Sequence, residues 1–125
     1  MKLLLDSHAF LWWLAGHRSL SGAARAAVAD PANVVFVSAA SIWEIEIKRT
    51  LGRLDVRDAN LVAEISANRF LELPILARHA EAAARLPAHH DDSFDRMLVA
   101  QSQLEGMICV TRDPWFEAYG VPRLW

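Results

Sequence analysis

The sequence predicts an α/β fold in which helices cover both faces of a parallel sheet. Three observations carry that reading: short apolar runs alternate with helix-like stretches, the runs are continuous rather than alternating, and the connections between them are short. A strand that is apolar at every position suits burial on both faces, and strand-helix alternation with brief loops is the pattern of parallel sheets crossed by helices.

In chain order, the first run is Leu3 to Leu5, followed by a helix over His8 to Ala15 and a second over Ser21 to Ala29. Asp30-Pro31 ends the second helix, and Val34 to Val37 form the next strand. A longer helix is predicted over Ser38 to Leu51, closed by Gly52, and another over Ala59 to Ala67. Phe70 to Leu73 read as the third strand. Helices over Ala77 to Arg85 and Ser93 to Leu104, separated by Pro87, lead to a fourth strand at Ile108 to Val110, and a short last strand is expected near Arg123 and Leu124. Several helices open on a polar residue able to cap free N–H groups. No repeat, low-complexity tract or linker interrupts the chain, so residues 1–125 read as one domain.

With 54% hydrophobic and 22% charged residues among 125, the chain can bury a core of its own. Five Trp are more than one small core readily hides, which leaves apolar surface for a partner. A net charge of -2 excludes a binder of nucleic acid that works by bulk positive charge. Cys109, the only cysteine, lies in the apolar stretch Met107 to Val110 and reads as a buried core thiol. The apolar start is too short for a signal peptide and no run is long enough to cross a bilayer, so a soluble cytoplasmic protein is expected.

In an open parallel sheet, ligands bind beyond the carboxyl ends of the strands, so the polar residues just after each apolar run are the ones to inspect. Asp6 follows the first run and Asp113 the fourth. Glu44 lies about two turns into the helix that leaves the second strand, and Asp95 opens the helix that leads into the fourth. If these side chains converge, their mutual repulsion calls for a hard divalent cation, Mg2+ or Mn2+. His89-His90-Asp91-Asp92 keeps zinc open as an alternative.

Each acid also has an ordinary explanation. Asp6 can cap the helix that begins near His8, and Glu44 can pair with Lys48 one turn later. Asp92 and Asp95 stand in a first helical turn, where the helix dipole favours negative charge, and Asp113 before Pro114 is a common turn opening. Against this, Glu44 sits in the largely apolar Ser41-Ile42-Trp43-Glu44-Ile45-Glu46-Ile47, where an uncompensated carboxylate is costly. Ser7-His8 beside Asp6 offers the residue types of a hydrolase triad without its context, and no glycine-rich phosphate loop follows the first strand. The Trp12-Trp13 pair reads as core and interface rather than as a base-stacking platform.

Four segments together resemble a known family. Leu4-Leu5-Asp6-Ser7-His8-Ala9-Phe10-Leu11-Trp12-Trp13, then Ser41 to Lys48 followed by Leu51-Gly52-Arg53-Leu54, then His90-Asp91-Asp92-Ser93-Phe94-Asp95-Arg96-Met97-Leu98-Val99-Ala100-Gln101, and the ending from Thr111-Arg112-Asp113 to Trp125 resemble the PIN-domain ribonucleases, specifically the VapC-type toxins. The resemblance spans essentially the whole chain. It implies a three-layer α/β/α sandwich with a mostly parallel sheet and a metal pocket at Asp6, Glu44 and Asp95, with Asp113 as the more variable fourth acid. Asp92 matches an acidic position beside the site, followed here by Ser93 where many relatives carry Pro.

The function so implied is a Mg/Mn-dependent endoribonuclease toxin that hydrolyses RNA to 3′-hydroxyl and 5′-phosphate ends. Its implied partners are an RNA substrate, a VapB-like antitoxin and a second copy in a homodimer, with the helix around Phe10 to Leu14 expected at a protein interface. Lys48, Arg49, Arg96 and Arg112 flank the acids and are expected either to guide the RNA backbone or to form an ordinary solvated face. Two other classes stay open at this point: a binding module that sequesters RNA or protein without turnover, and a metal-dependent phosphatase acting on small phosphomonoesters.

Overall fold

A computed structural model describes residues 1–56 and 58–125. Five strands form one wholly parallel sheet in the order β3-β2-β1-β4-β5: β1 (Lys2–Leu5), β2 (Val34–Ser38), β3 (Leu71–Leu73), β4 (Ile108–Val110) and β5 (Arg123–Leu124). The helices are α1 (Ser7–Ala15), α2 (Gly22–Ala29), α3 (Ala39–Thr50), α4 (Leu61–Ala67), α5 (Ala77–Arg85), α6 (Ser93–Glu105) and α7 (Trp115–Ala118). The α/β/α sandwich expected from the sequence is what the chain forms.

Alternation along the central strands divides the core. Leu3, Leu5, Val35, Val37 and Val110 face a cluster with Phe10 of α1, Ala24 and Val28 of α2, Ile45 of α3 and Leu61 and Ile65 of α4. On the opposite face, Leu4 and Cys109 pack with Leu98 and Val99 of α6 and Phe116 of α7, and Phe36 borders the same cluster. Register explains the division, because Leu3 pairs with Val35 and Leu5 with Val37 and Val110, while Leu4 pairs with Phe36 and Cys109. Cys109 is fully buried, and burial pushes its thiol well above the usual range.

Capping accounts for most of the boundaries that differ from expectation. Asp6, Ser21, Ser38, Asn60 and Asp92 each accept a hydrogen bond from an N–H in the first turn of α1, α2, α3, α4 and α6. The predicted helix from Ala59 therefore begins at Leu61. β3 starts at Leu71 rather than Phe70, because α4 is closed by Arg69 at a φ of 62° and by the Phe70 N–H donating to the Ile65 carbonyl. The four-residue α7 is too short to carry a periodic signal and escaped the sequence reading.

The direction in which successive strands are added to the sheet reverses between β1 and β4. The connections from β1 to β3 run outward one way, and those from β3 through β4 to β5 return on the other side of β1. A crevice opens above the carboxyl ends of two strands at such a reversal, and these two end at Asp6 and at Thr111. Among the described residues, no helix is long and apolar enough to cross a membrane.

Candidate active site

A cavity of about 360 Å³ occupies this crevice, and Asp6, Glu44, Asp92, Asp95 and Asp113 all line it, with Lys48 and Arg112 at its walls. The chain thus brings together the five acids expected around a magnesium or manganese ion, while Asp91 of the zinc alternative lies outside the cavity lining. It does so from four places: the end of β1, the second turn of α3, the start of α6 and the loop after β4.

Each local role foreseen as an ordinary explanation is present, and the convergence exists in addition. Asp6 caps α1 through Oδ1, which accepts from the Ala9 N–H at 2.8 Å, while Oδ2 accepts from the Thr111 hydroxyl at 2.6 Å. Glu44, only 7% exposed, accepts from the Ser7 hydroxyl and pairs with Lys48 at 3.3 Å. Asp92 accepts from the Asp95 N–H at 2.9 Å, and Asp113 from the Trp115 N–H at 2.9 Å. These bonds orient Asp6, Glu44, Asp92 and Asp113, and apart from Lys48 at Glu44 none of the partners carries a positive charge.

The electrostatic consequence shows most clearly at Asp95, whose carboxyl is pushed up to about 7. Burial is the largest cause, followed by the negative charges of Asp92, Glu44 and Asp6, with His90 opposing them. Asp6 is also raised, again chiefly by burial, against the lowering effect of the Thr111 and Ala9 hydrogen bonds. A site that holds acids in this strained ionisation is short of positive charge, and its oxygen donors suit a hard divalent cation. The residues present fit such an ion.

Residues outside the sequence-based site also take part. Ser7 was weighed there only as a triad member; its hydroxyl instead holds Glu44. Thr111 is the first polar residue after β4, as Asp6 is after β1, so the rule that found Asp6 applied to strand four would have found it. His90 Nε2 stands 3.0 Å from Asp95 Oδ2 and 3.6 Å from Asp113 Oδ2, and the His90, Asp95 and Asp113 donor atoms all lie within 4.8 Å of one another.

The four flanking cations divide. Lys48 and Arg112 line the cavity, and Arg112 lies over the Trp12 ring at 4.8 Å. Arg96 turns away: its guanidinium donates to the carbonyls of Ala83, Leu86, Pro87 and His90, tying down the segment before α6. Arg49 donates to the Ala59 carbonyl and pairs with Glu46. None of the five Trp is fully buried, and Trp43 and Trp115 are 61% and 51% exposed. The helix around Phe10 to Leu14 is less open than its composition suggested, since Phe10 is buried completely and Leu11 to Leu14 are half-covered.

The PIN domain family matches residues 3–122. Among solved structures, VapBC2 from Rickettsia felis, bound to a DNA fragment from their promoter, is similar with a TM-score of 0.68 at 10% identity, over 98% of this chain and 97% of that one. FitAcB from Neisseria gonorrhoeae gives 0.57 at 20% identity over 97% and 95%, and PAE2754 from Pyrobaculum aerophilum 0.54 at 18% over 98% and 89%. No curated protein sequence matches the chain. At these identities the structural likeness speaks for the fold.

Proposed function

This chain belongs to the PIN-domain family, and from that premise we propose that it is a Mg2+- or Mn2+-dependent endoribonuclease, the toxin of a cytoplasmic toxin-antitoxin pair. The observation that carries the reading is the meeting of five carboxylates from four separate segments in one cavity at the carboxyl edge of the sheet. Acids so gathered are expensive to keep unless the site binds a cation as part of its work.

In this reading Asp6, Glu44, Asp95 and Asp113 hold the ion, with Asp92 beside them. When bound, the ion supplies positive charge against the phosphate oxygens and an acidified water. The chain's own part is orientation. Thr111 and the Ala9 N–H hold the Asp6 oxygens, Ser7 and Lys48 hold those of Glu44, and Arg112 on the cavity wall attracts the RNA backbone. Hydrolysis adds the water oxygen to phosphorus and breaks the bond to the 3′ oxygen, leaving 3′-hydroxyl and 5′-phosphate ends.

A VapB-like antitoxin and a homodimer belong to the same proposal. The antitoxin is supported by the resemblance of the sequence to the VapC-type toxins and by the likeness of fold to VapBC2 and FitAcB, and the homodimer by the sequence resemblance alone. Incubation of the purified protein with structured RNA and manganese tests the enzyme: cleavage to 5′-phosphate ends is expected, abolished by EDTA and by Asp6→Asn or Asp95→Asn in folded protein. Full cleavage in EDTA, or by either variant, would overturn it. Hydrolysis of a chromogenic phosphomonoester without RNA cleavage would instead favour a phosphatase.

A further inference from the structure

We propose that His90 is a nitrogen ligand: its Nε2, together with Asp95 and Asp113, binds a divalent ion and makes this part of the site prefer manganese to magnesium. The inference rests on the metal-dependent reading of the cavity and adds to it a donor type that the carboxylates lack.

Geometry is the first argument. Two neighbouring ligands at right angles on an octahedral ion, each about 2.1 Å from it, lie about 3 Å apart. His90 Nε2 and Asp95 Oδ2 are 3.0 Å apart, and Asp113 Oδ2 is 3.6 Å from the same nitrogen. A hydrogen bond now spans the shorter gap. Exchanging its proton for an ion therefore asks for little movement of the chain.

Support around the ring is the second. His90 stacks on Trp115 with ring centroids 5.9 Å apart and planes inclined by 29°. The His90 carbonyl accepts from Arg96, whose other bonds to Ala83, Leu86 and Pro87 hold the same segment. A histidine held from both its ring and its backbone presents one nitrogen in a fixed direction, which is what ligand histidines require of their surroundings. Neighbouring His89 packs on Tyr119 instead, so the two adjacent imidazoles are not equivalent.

Donor chemistry then sets the preference. Manganese shares magnesium's liking for oxygen donors but, as a first-row transition ion, gains more from an imidazole nitrogen, so one nitrogen among carboxylates tilts selection between these two ions toward manganese.

Pulsed electron paramagnetic resonance of the Mn2+-loaded protein reads directly whether nitrogen is bound. Nitrogen coupling to the ion is expected in the wild type and its loss in His90→Phe, which keeps a ring for Trp115. Mn2+ affinity should fall in that variant by at least the roughly tenfold that loss of even an outer partner costs, and the ratio of Mn2+ to Mg2+ affinity should fall with it. Should His90→Phe fail to fold, His8→Phe carries the assignment, because His8 lines the cavity itself while His90 reaches the acids from beside it. Coupling that persists in it supports His90, and coupling lost in it overturns the proposal. Manganese bound and RNA cleaved with no nitrogen coupling would overturn the role of His90 alone, while failure to bind manganese at all would overturn both this inference and the metal-dependent reading.

Discussion

The Thr111 hydroxyl donates to Asp6 Oδ2 at 2.6 Å across 105 positions of sequence. It joins the ends of β1 and β4, the two strands between which the sheet reverses, and also accepts from the Asp113 N–H at 3.0 Å. One hydroxyl therefore links two of the acids of the cavity.

Thr111→Val keeps the side chain's shape and removes that link, stranding a buried Asp6 oxygen and the Asp113 N–H. A loss of about 1–3 kcal/mol in urea unfolding is expected, with reduced RNA cleavage, while Thr111→Ser should recover most of both. An unchanged unfolding midpoint for the valine variant would refute the claim that this bond holds the strand ends together.

The raised Asp95 carboxyl fixes a direction for pH. A group that binds its proton more tightly folded than unfolded favours the folded state at low pH, and the advantage is lost as pH rises from about 4 through the folded value of about 7. In EDTA, the melting temperature should therefore fall between pH 5.5 and 8 by about 5 °C or more. Manganese at pH 8 should restore it, and Asp95→Asn in EDTA should be more stable than wild type at pH 8 but not at pH 4. A melting temperature independent of pH over this range would contradict the account.

Arg96 and Arg112 differ in kind although both flank the acids. Arg96 satisfies four backbone carbonyls around residues 83–90, so Arg96→Ala is expected to cost about 2–4 kcal/mol in unfolding experiments. Arg112→Ala should unfold almost like wild type. Its effect should appear in RNA affinity, with the dependence on salt weakened by about one phosphate contact. The reverse pattern would exchange the two roles.

Glu44→Gln keeps an acceptor for Ser7 and removes the charge paired with Lys48. Weaker manganese binding by calorimetry and a drop of at least about a hundredfold in cleavage are expected, with little change in circular dichroism. Retained affinity for the ion would remove Glu44 from the ligand set.

Much of this organisation was legible in the sequence because burial on both faces writes itself as continuous apolar runs. β4 and α5 have the predicted bounds, and the acids Asp6 and Asp113 stood where strand ends place ligands. Glu44 was harder to read, since a helix-borne carboxylate four residues before a lysine looks the same whether it faces solvent or a cavity. Ser7 and His90 were not assigned their places because what they do depends on partners distant in sequence or on a loop path, whereas Thr111 stood where the strand-end rule applies and only its bond to Asp6 was hidden. Arg96 shows the same limit: a basic residue next to an acid in sequence turned out to serve the backbone behind it.

Because the cavity draws on both Asp6 and Asp113, no short stretch of the chain holds the acidic cluster by itself. A polypeptide interrupted during synthesis before residue 113 lacks the last acid and the strand that flanks β4. The acidic cavity is thus completed only after synthesis has passed residue 113 and the chain has folded, and a shorter nascent product carries it unfinished.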